Sequence, residues 1–286
     1  MSGILAVVLN YRTADKTLVC LRSLVAEGVS HIVLVENSAD HGISLKQMYT
    51  DLEALRCQGV MVEVLDQGRN LGFAAGVNCA LSHIKTRSLV GDVLLINSDA
   101  RLELGALARL VEAIRGGAEM AAPMILSPNQ VLGSPLTYYQ KYFGIVGKHR
   151  ILGSLPFIVG ACILLNQNFV NPDLFDEDFF FYGEDVMLGA AMSREGKRFL
   201  VVKSALVIHE GSGSAHNGSI FYEYHINRSH WVLAQKLSTG YVDRVFFVLG
   251  RMAVLPLRAI VRCVRIGSFK PAQGFLQATL DALFGK

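Results

Sequence analysis

The sequence has few cysteines, and none of them falls in a C-x-x-C motif. The five cysteines are scattered over the 286 residues, at Cys20, Cys57, Cys79, Cys162 and Cys263. An odd, scattered set excludes a disulfide framework and a cysteine-based zinc site, and it fits a reducing compartment. The first residues, MSGILAVVLNYR, also lack the basic start and long apolar stretch of a signal peptide. We therefore expect a cytoplasmic protein.

A long uninterrupted apolar run is missing too. The best candidate, residues 245–261 (VFFVLGRMAVLPLRAIV), is broken by Arg251, Pro256 and Arg258. A helix that spans a bilayer needs about 18 consecutive apolar residues, so we expect none here. The formal net charge is only +3, and a balance so close to neutral gives no reason to expect nucleic acid as a partner.

What the sequence does contain is a regular alternation of apolar strands and helices in its first half. Strands are predicted at 4–10, 31–36, 60–65 and 92–96. Helices are predicted between and after them, at 13–27, 44–58, 72–87 and 102–116. This alternation is typical of an α/β fold with a mostly parallel, Rossmann-like sheet flanked by helices. Ligands bind such sheets at the carboxyl ends of the strands, so the polar residues after each strand are the first candidates for a site.

The second half is less regular and ends in a basic tail. Further strands are predicted at 157–166 and 198–209. Helices are predicted from Gly183 or Glu184 to about Glu195, and at 220–237. We expect a boundary near residue 238, which divides the chain into a domain at 1–238 and a helical tail at 239–286.

Several polar positions at strand ends each admit two interpretations. Asp99 suits a divalent cation that holds a diphosphate, or the N-cap of a helix. Glu36 suits a nucleobase or ribose, or a solvated turn. His209 suits a metal, or an ordinary hydrogen bond. Residues 68–78 (GRNLGFAAGVN) form a glycine-rich turn into a helix, which favours anions only weakly without a P-loop lysine.

The most unusual segment is residues 175–188, FDEDFFFYGEDVML, in which five carboxylates surround four consecutive aromatic residues. Glu184 and Asp185 would occupy the first turn of a helix, where the helix dipole favours acids. That alone explains the acids but not the aromatic residues. An apolar wall beside a carboxylate raises its pKa towards the range of a general base.

Seven segments, in order between residues 7 and 214, resemble the family 2 inverting glycosyltransferases of GT-A fold, most of all their bacterial rhamnosyltransferase-like members. The segments are VVLNYRT, IVLVENSAD, NLGFAAGVN, LLINSDA, GACILL, FDEDFFFYGEDVML and VIHEGSGS. The sequence departs from the family where Ser98 replaces a proline, where Glu36 replaces an aspartate before Asn37, and where Met187 replaces an aspartate. The second departure bears on sugar-nucleotide preference and the third on the acceptor.

The resemblance implies a role for each matching residue. The nucleotide-sugar site would be lined by Asn10, Arg12, Glu36, Arg69, Asn70, Gly72, Phe73, Asn78 and Asn97. Asp99 and His209 would hold Mg²⁺ or Mn²⁺. Asp185 would be the catalytic base, with Glu184 as the alternative, and Asp176 would lie on the acceptor side. The loop around His216 would close over the diphosphate.

The resemblance also implies the substrates. The donor would be dTDP-L-rhamnose or a UDP-linked sugar, and the acceptor a glycan or a polyprenyl-diphosphate-linked glycan of a cell-surface polysaccharide such as a lipopolysaccharide O-antigen. Two other interpretations remain. A sugar-nucleotide pyrophosphorylase would need a glycine-rich loop that VVLNYRTADK lacks, and an inactive scaffold of the same fold would not need the retained acids.

The tail fits a lipid-linked acceptor. Arg244, Arg251, Arg258, Arg262 and Arg265 share one side of a helix, which Pro256 would kink or split. We expect this basic side to contact anionic headgroups, which would make the protein peripheral on the inner face of the cell membrane. The alternatives are a packing helix whose arginines face solvent, or an oligomer interface.

Overall fold

A computed structural model of the protein describes residues 3–211 and 217–285. Its strands are β1 (Gly3–Asn10), β2 (His31–Glu36), β3 (Met61–Asp66), β4 (Gly91–Asn97), β5 (Ala100–Leu102), β6 (Met120–Leu126), β7 (Leu132–Gly133), β8 (Leu136–Gln140), β9 (Ile145–Gly147), β10 (Ser154–Ile158), β11 (Cys162–Leu165) and β12 (Phe199–His209). Its helices are α1 (Ala14–Ala26), α2 (Ile43–Cys57), α3 (Gly72–Thr86), α4 (Ala106–Arg115), α5 (Glu184–Arg194), α6 (Ile220–Lys236), α7 (Tyr241–Ile266) and α8 (Lys270–Phe284).

The main sheet has the strand order β3-β2-β1-β4-β11-β6-β12-β5, with β7 paired to β6. Strands β1 to β4 run parallel, whereas β11 lies antiparallel between β4 and β6. The central strands are buried along most of their length because helices cover both faces. Helix α4 shows how: its buried residues Ala106, Leu107, Leu110 and Ile114 recur at helical spacing.

The register of this sheet determines where the polar strand ends lie. Asn10 is opposite Glu36 in the β1–β2 pair, and Leu9 is opposite Asn97 in the β1–β4 pair. The last residues of β1, β2 and β4 therefore lie at one edge of the sheet, where the sequence predicts the ligand site.

The predicted strands and helices of the first half are confirmed to within a few residues, with one difference. The helix predicted at 102–116 begins only at Ala106, because residues 100–102 form β5 and pair antiparallel with the end of β12. In the second half, the single strand predicted at 157–166 is wrong. The chain turns at 159–161, where Ala161 N–H donates to Val159 O, so that β10 and β11 belong to different sheets.

The chain divides into two compact units. Unit 1 contains Met1–Leu136, Ile158–Phe175 and Arg194–Ser214, and therefore the main sheet. Unit 2 contains Thr137–Phe157, Asp176–Ser193 and Ala215–Lys286, including the small β10-β8-β9 sheet and helices α5 to α8. The boundary predicted at residue 238 stays a prediction.

The tail is helical, as predicted, but its arginines do not form an exposed basic side. Helix α7 continues through Pro256 without being split. Arg251 is 0% exposed, and Arg262 pairs with the buried Glu223 of α6. The prediction is wrong for these two residues because α6 and the β8–β9 turn supply buried acceptors that the spacing of the arginines does not reveal. Within the described residues, no helix is both long enough and apolar enough to cross a bilayer.

Candidate active site

The predicted nucleotide-binding residues of β1 and β2 form a buried hydrogen-bond network. The side-chain amide of Asn10 donates to Glu36 Oε2 at 2.7 Å and to Ser38 Oγ at 3.1 Å. Its oxygen accepts from Thr17 Oγ1 at 2.7 Å. Glu36 Oε1 accepts from the backbone N–H of Ser38 at 2.6 Å. Both carboxylate oxygens of Glu36 are thus engaged, which fixes the shape of this strand end.

Arg12 lies at the end of the same network. Its backbone N–H donates to Ser38 Oγ at 2.8 Å and its Nε donates to Ser38 O at 3.2 Å. Its φ of +54° is unusual for a residue with a side chain. The two bonds to Ser38 offset this strain and hold an exposed guanidinium beside the strand ends. Ser38 was missed by the sequence analysis, although it lies in the quoted segment VENSAD.

Asn37 connects this network to the glycine-rich turn. Its side-chain amide donates to Gly72 O at 2.9 Å, and its oxygen accepts from Leu71 N–H at 3.4 Å. Asn70 Oδ1 accepts from Gly72 N–H at 2.9 Å, and Gly72 itself has a φ of +77°. The turn is therefore ordered by side chains before it enters α3, while Arg69 is exposed next to it.

Two further predicted residues bind the chain rather than face open space. Asn78 is buried, and it makes a pair of hydrogen bonds to the backbone of Phe175, at 2.7 and 3.1 Å. Phe73 packs edge-on against the Phe175 ring with centroids 5.6 Å apart. Both therefore anchor Phe175, the first residue of the segment 175–188.

The two predicted metal ligands meet. Asp99 lies between β4 and β5, and His209 is the last residue of β12, so that His209 Nε2 lies 3.1 Å from Asp99 Oδ1. The side-chain amide of Asn97 is 3.5 Å from the same imidazole nitrogen. Beside Asp99 is a cavity of about 150 Å³, which the Lys16–Glu210 ion pair also lines. His216, expected to close over the diphosphate, lies outside the described residues.

This donor set suits a Mg²⁺ or Mn²⁺ ion that is shared with a substrate. A carboxylate oxygen and an imidazole nitrogen are suitable ligands for such ions, which often take only one or two protein ligands and complete their shell with phosphate oxygens and water. Among residues 3–211 and 217–285, no group of three or more His, Cys, Asp or Glu side chains is arranged to hold a metal. The pair therefore fits a metal–diphosphate site better than a closed structural one.

The acid pair begins helix α5, after a strained turn. Tyr182 has a φ of +67° and Gly183 a φ of +100°. A side chain at Gly183 would collide with the Phe179 ring. Such strain is common at functional sites. Here it turns the chain sharply from the aromatic residues into α5, so that Glu184 is buried and Asp185 is half-buried.

The two acids of the pair differ in environment. Glu184 Oε2 is buried without a hydrogen-bond partner among the described residues. Burial, and then the negative charge of Asp185, raise the pKa of Glu184 to about 8. A carboxyl group with this pKa is mostly protonated at neutral pH, whereas Asp185 is only half-buried.

Asp176 and Asp178 of the segment have a structural partner that the sequence analysis missed. Lys236, near the end of α6, lies 2.6 Å from a carboxylate oxygen of Asp176 and 2.6 Å from one of Asp178. Arg228 of the same helix donates to Asp178 O at 2.7 Å. These contacts hold the acidic segment onto α6, and no local pattern indicates them because Lys236 is about 60 residues away in sequence.

Comparisons with known proteins identify the family of the chain. The sequence model described as "Glycosyl transferase family 2" matches residues 6–171, more than half of the chain. The chain belongs to this family. It is 26% identical over 191 residues to N-acetylglucosaminyl-diphospho-decaprenol L-rhamnosyltransferase of Mycobacterium tuberculosis, in strains CDC 1551 and H37Rv. The match covers 54% of this chain and 60% of those relatives.

Solved structures of other glycosyltransferases share the fold. The family 2 chain superimposes on GalNAc-T7 with UDP, GalNAc and Mn²⁺ at a TM-score of 0.62 and 14% identity, covering 87% of this chain and 54% of that one. For a mannosyltransferase from Pyrobaculum calidifontis, in complex with GDP-Man and Mn²⁺, the TM-score is 0.60 and the identity 11%, and the match covers 100% of this chain and 88% of that one. For TarS of S. aureus, the TM-score is 0.53 and the identity 15%, and the match covers 99% of this chain and 92% of that one. The GT-A fold predicted from the sequence is confirmed.

Proposed function

We propose that this family 2 protein is an inverting glycosyltransferase that moves L-rhamnose from dTDP-L-rhamnose onto a lipid-linked glycan. The observation that carries the proposal is the meeting of Asp99 and His209 at the strand ends of a GT-A fold. The curated relatives, whose name describes an L-rhamnosyltransferase with a decaprenol-diphosphate acceptor, support the choice of sugar and acceptor. A UDP-linked donor is the alternative.

Unit 1 would bind the donor. Arg12 and Arg69 are exposed cations near the strand ends and suit a diphosphate. The Asn10–Glu36–Ser38 network would act by keeping the strand ends rigid. Asp99 and His209 would hold Mg²⁺ or Mn²⁺, which supplies positive charge to the departing nucleoside diphosphate.

Unit 2 would supply the base. Asp185 would accept the proton of the attacking acceptor hydroxyl while the carbon–oxygen bond to the sugar forms and the bond to the diphosphate breaks. Because no covalent enzyme intermediate intervenes, the product has the opposite anomeric configuration to the donor. Glu184 would stay neutral beside Asp185, so that the charge is concentrated on one carboxylate.

Donor turnover tests the proposal. We expect slow, metal-dependent nucleotide release from one member of a panel of dTDP-, UDP- and GDP-sugars, and we expect Asp99→Asn to reduce it about 10²–10³-fold. The affinity for Mn²⁺ in the presence of the nucleotide, measured by electron paramagnetic resonance, should decrease in the same variant. Asp173→Asn, an exposed acid, is the control. If the protein neither bound nor turned over any donor, that result would contradict the proposal and favour an inactive scaffold.

The unusual pKa of Glu184 gives a second expected result. Between about pH 4.5 and about pH 8, the unfolded chain has lost this proton while the folded chain still holds it. The contribution of Glu184 to the free energy of unfolding therefore decreases over this window as pH rises. Glu184→Gln removes the titration, so its stability relative to the wild type should increase with pH, by several kcal/mol at most. Thermal unfolding across the window measures this, and a difference that does not change with pH would contradict it.

A further inference from the structure

The two tail helices carry large apolar side chains on their exposed sides as well as apolar residues on their buried sides. On α7, the buried side also carries Arg251, and Arg262 pairs with the buried Glu223. We call the exposed apolar residues of α7, together with their counterparts on α8, the outer face. Its main members on α7 are Phe246, Leu249, Met252, Leu257, Ile260 and Val264.

The outer face is strongly exposed. Phe246, Leu257 and Val264 are 59%, 63% and 79% exposed. Helix α8 adds Leu276, Leu280 and Leu283, each more than half exposed. Apart from the five-residue interval between Met252 and Leu257, these positions recur at three- and four-residue intervals, so each helix presents most of them on one side. Monomeric soluble proteins seldom expose so many large apolar side chains together, which indicates that something covers this face.

The charges of the two helices distinguish a bilayer from a second copy of the chain. Arg244, Arg265 and Lys270 are exposed cations of these helices, although Arg244 and Arg265 lie on the arginine side of α7 and not on the outer face. The two acids of these helices are already engaged, because Asp243 accepts from Thr239 and Asp281 accepts from Tyr224. In a symmetric dimer, the three exposed cations of each copy would outnumber its two acids, so that like charges would be brought together. Anionic headgroups would neutralise all three.

We infer that the outer face inserts into the surface of an anionic bilayer, with its apolar side chains entering the acyl boundary while the exposed cations of the two helices reach the headgroups. A helix of 26 residues lying flat spans about 39 Å. Apolar faces of this kind sink about 5–10 Å into the boundary. Insertion would hold the protein at the surface where a lipid-linked acceptor is presented, and in this respect it rests on the proposed function.

Insertion differs from headgroup attraction in its response to salt. Attraction by arginines alone would be screened as ionic strength rises. Burial of apolar side chains would persist, because it does not depend on charge. Vesicle binding that keeps most of its strength in high salt is therefore the signature of this mode.

Vesicle co-sedimentation of the full chain tests the inference. We expect the wild type to bind phosphatidylglycerol–phosphatidylcholine vesicles, and to keep most of this binding in high salt. The variant Leu257→Asp/Ile260→Asp/Val264→Asp should lose about tenfold or more of its partition. Leu152→Asp is the control, because Leu152 is 96% exposed but lies outside the outer face. Circular dichroism checks that each variant is folded.

A single substitution makes the test independent of the triple variant's folding. Leu257→Trp should show a blue-shifted emission with vesicles and quenching by brominated acyl chains, whereas Leu152→Trp should show neither. The native Trp231 is buried and gives a constant background. Three results would overturn the inference: no quenching at position 257, complete loss of binding in high salt, or a wild-type dimer that ignores vesicles. Donor turnover is measured on the same samples. If turnover is retained while one of these three results is found, only the membrane inference fails; if no donor is turned over, the proposed function fails.

Discussion

Replacing Asp185 with asparagine is expected to lower sugar transfer about 10²–10⁴-fold, the range that general bases usually contribute. Asparagine keeps the size of the side chain but cannot take a proton from the acceptor hydroxyl. Donor affinity should change little, because Asp185 is not among the residues predicted to bind the donor. Initial rates of transfer and the dissociation constant of the nucleotide measure the two quantities separately.

Glu184→Gln is the informative comparison. Because Glu184 is mostly protonated at neutral pH, a neutral amide should change transfer far less than Asp185→Asn does. Asp173→Asn controls for the loss of an acid elsewhere on the surface. If Glu184→Gln were the more damaging of the pair, the two roles would have to be exchanged.

Replacing Arg251 with methionine is expected to cost about 2–4 kcal/mol of unfolding free energy. The guanidinium is fully buried, and it donates to the carbonyl oxygens of Lys141, Tyr142 and His230 and to the hydroxyl of Tyr139. Methionine fills a similar volume but satisfies none of these acceptors. The unpaired buried carbonyls, not the lost charge, would be the main cost.

Chemical denaturation with urea measures this effect, with Arg244→Met as the matched control. Arg244 lies two helical turns earlier in α7 but is exposed, so its loss should change stability by less than about 0.5 kcal/mol. Equal effects of the two substitutions would contradict the structural role of Arg251.

His230, whose backbone carbonyl is one of the acceptors of Arg251, should be neutral at neutral pH, since burial lowers its pKa to about 3.

The sequence was informative where the signal is local. Apolar runs such as ILAVVLN and HIVLVE predict β1 and β2 because a parallel sheet covered on both faces needs continuous apolar strands. The same argument places Asn10, Glu36, Asn97 and Asp99 at strand ends, and the structure brings Asp99 and His209 together although they are 110 residues apart.

The sequence was least informative where distant partners decide. Helical spacing indicates that the arginines of α7 share a side, but it does not indicate which side packs on the protein. The acceptors of Arg251 come from residues 139–142 and from His230, and that of Arg262 from Glu223. Similarly, the partnership of Lys236 with Asp176 and Asp178 depends on the packing of α6.

The most direct test of the central claim is the anomeric configuration of the product. Purified protein, dTDP-L-rhamnose, Mn²⁺ and a prenyl-diphosphate-linked N-acetylglucosamine would be incubated in vesicles, and the product analysed by nuclear magnetic resonance. We expect transfer with inversion, slowed about 10²–10⁴-fold by Asp185→Asn. A product with the configuration of the donor, or transfer at the wild-type rate in Asp185→Asn, would contradict the proposed function.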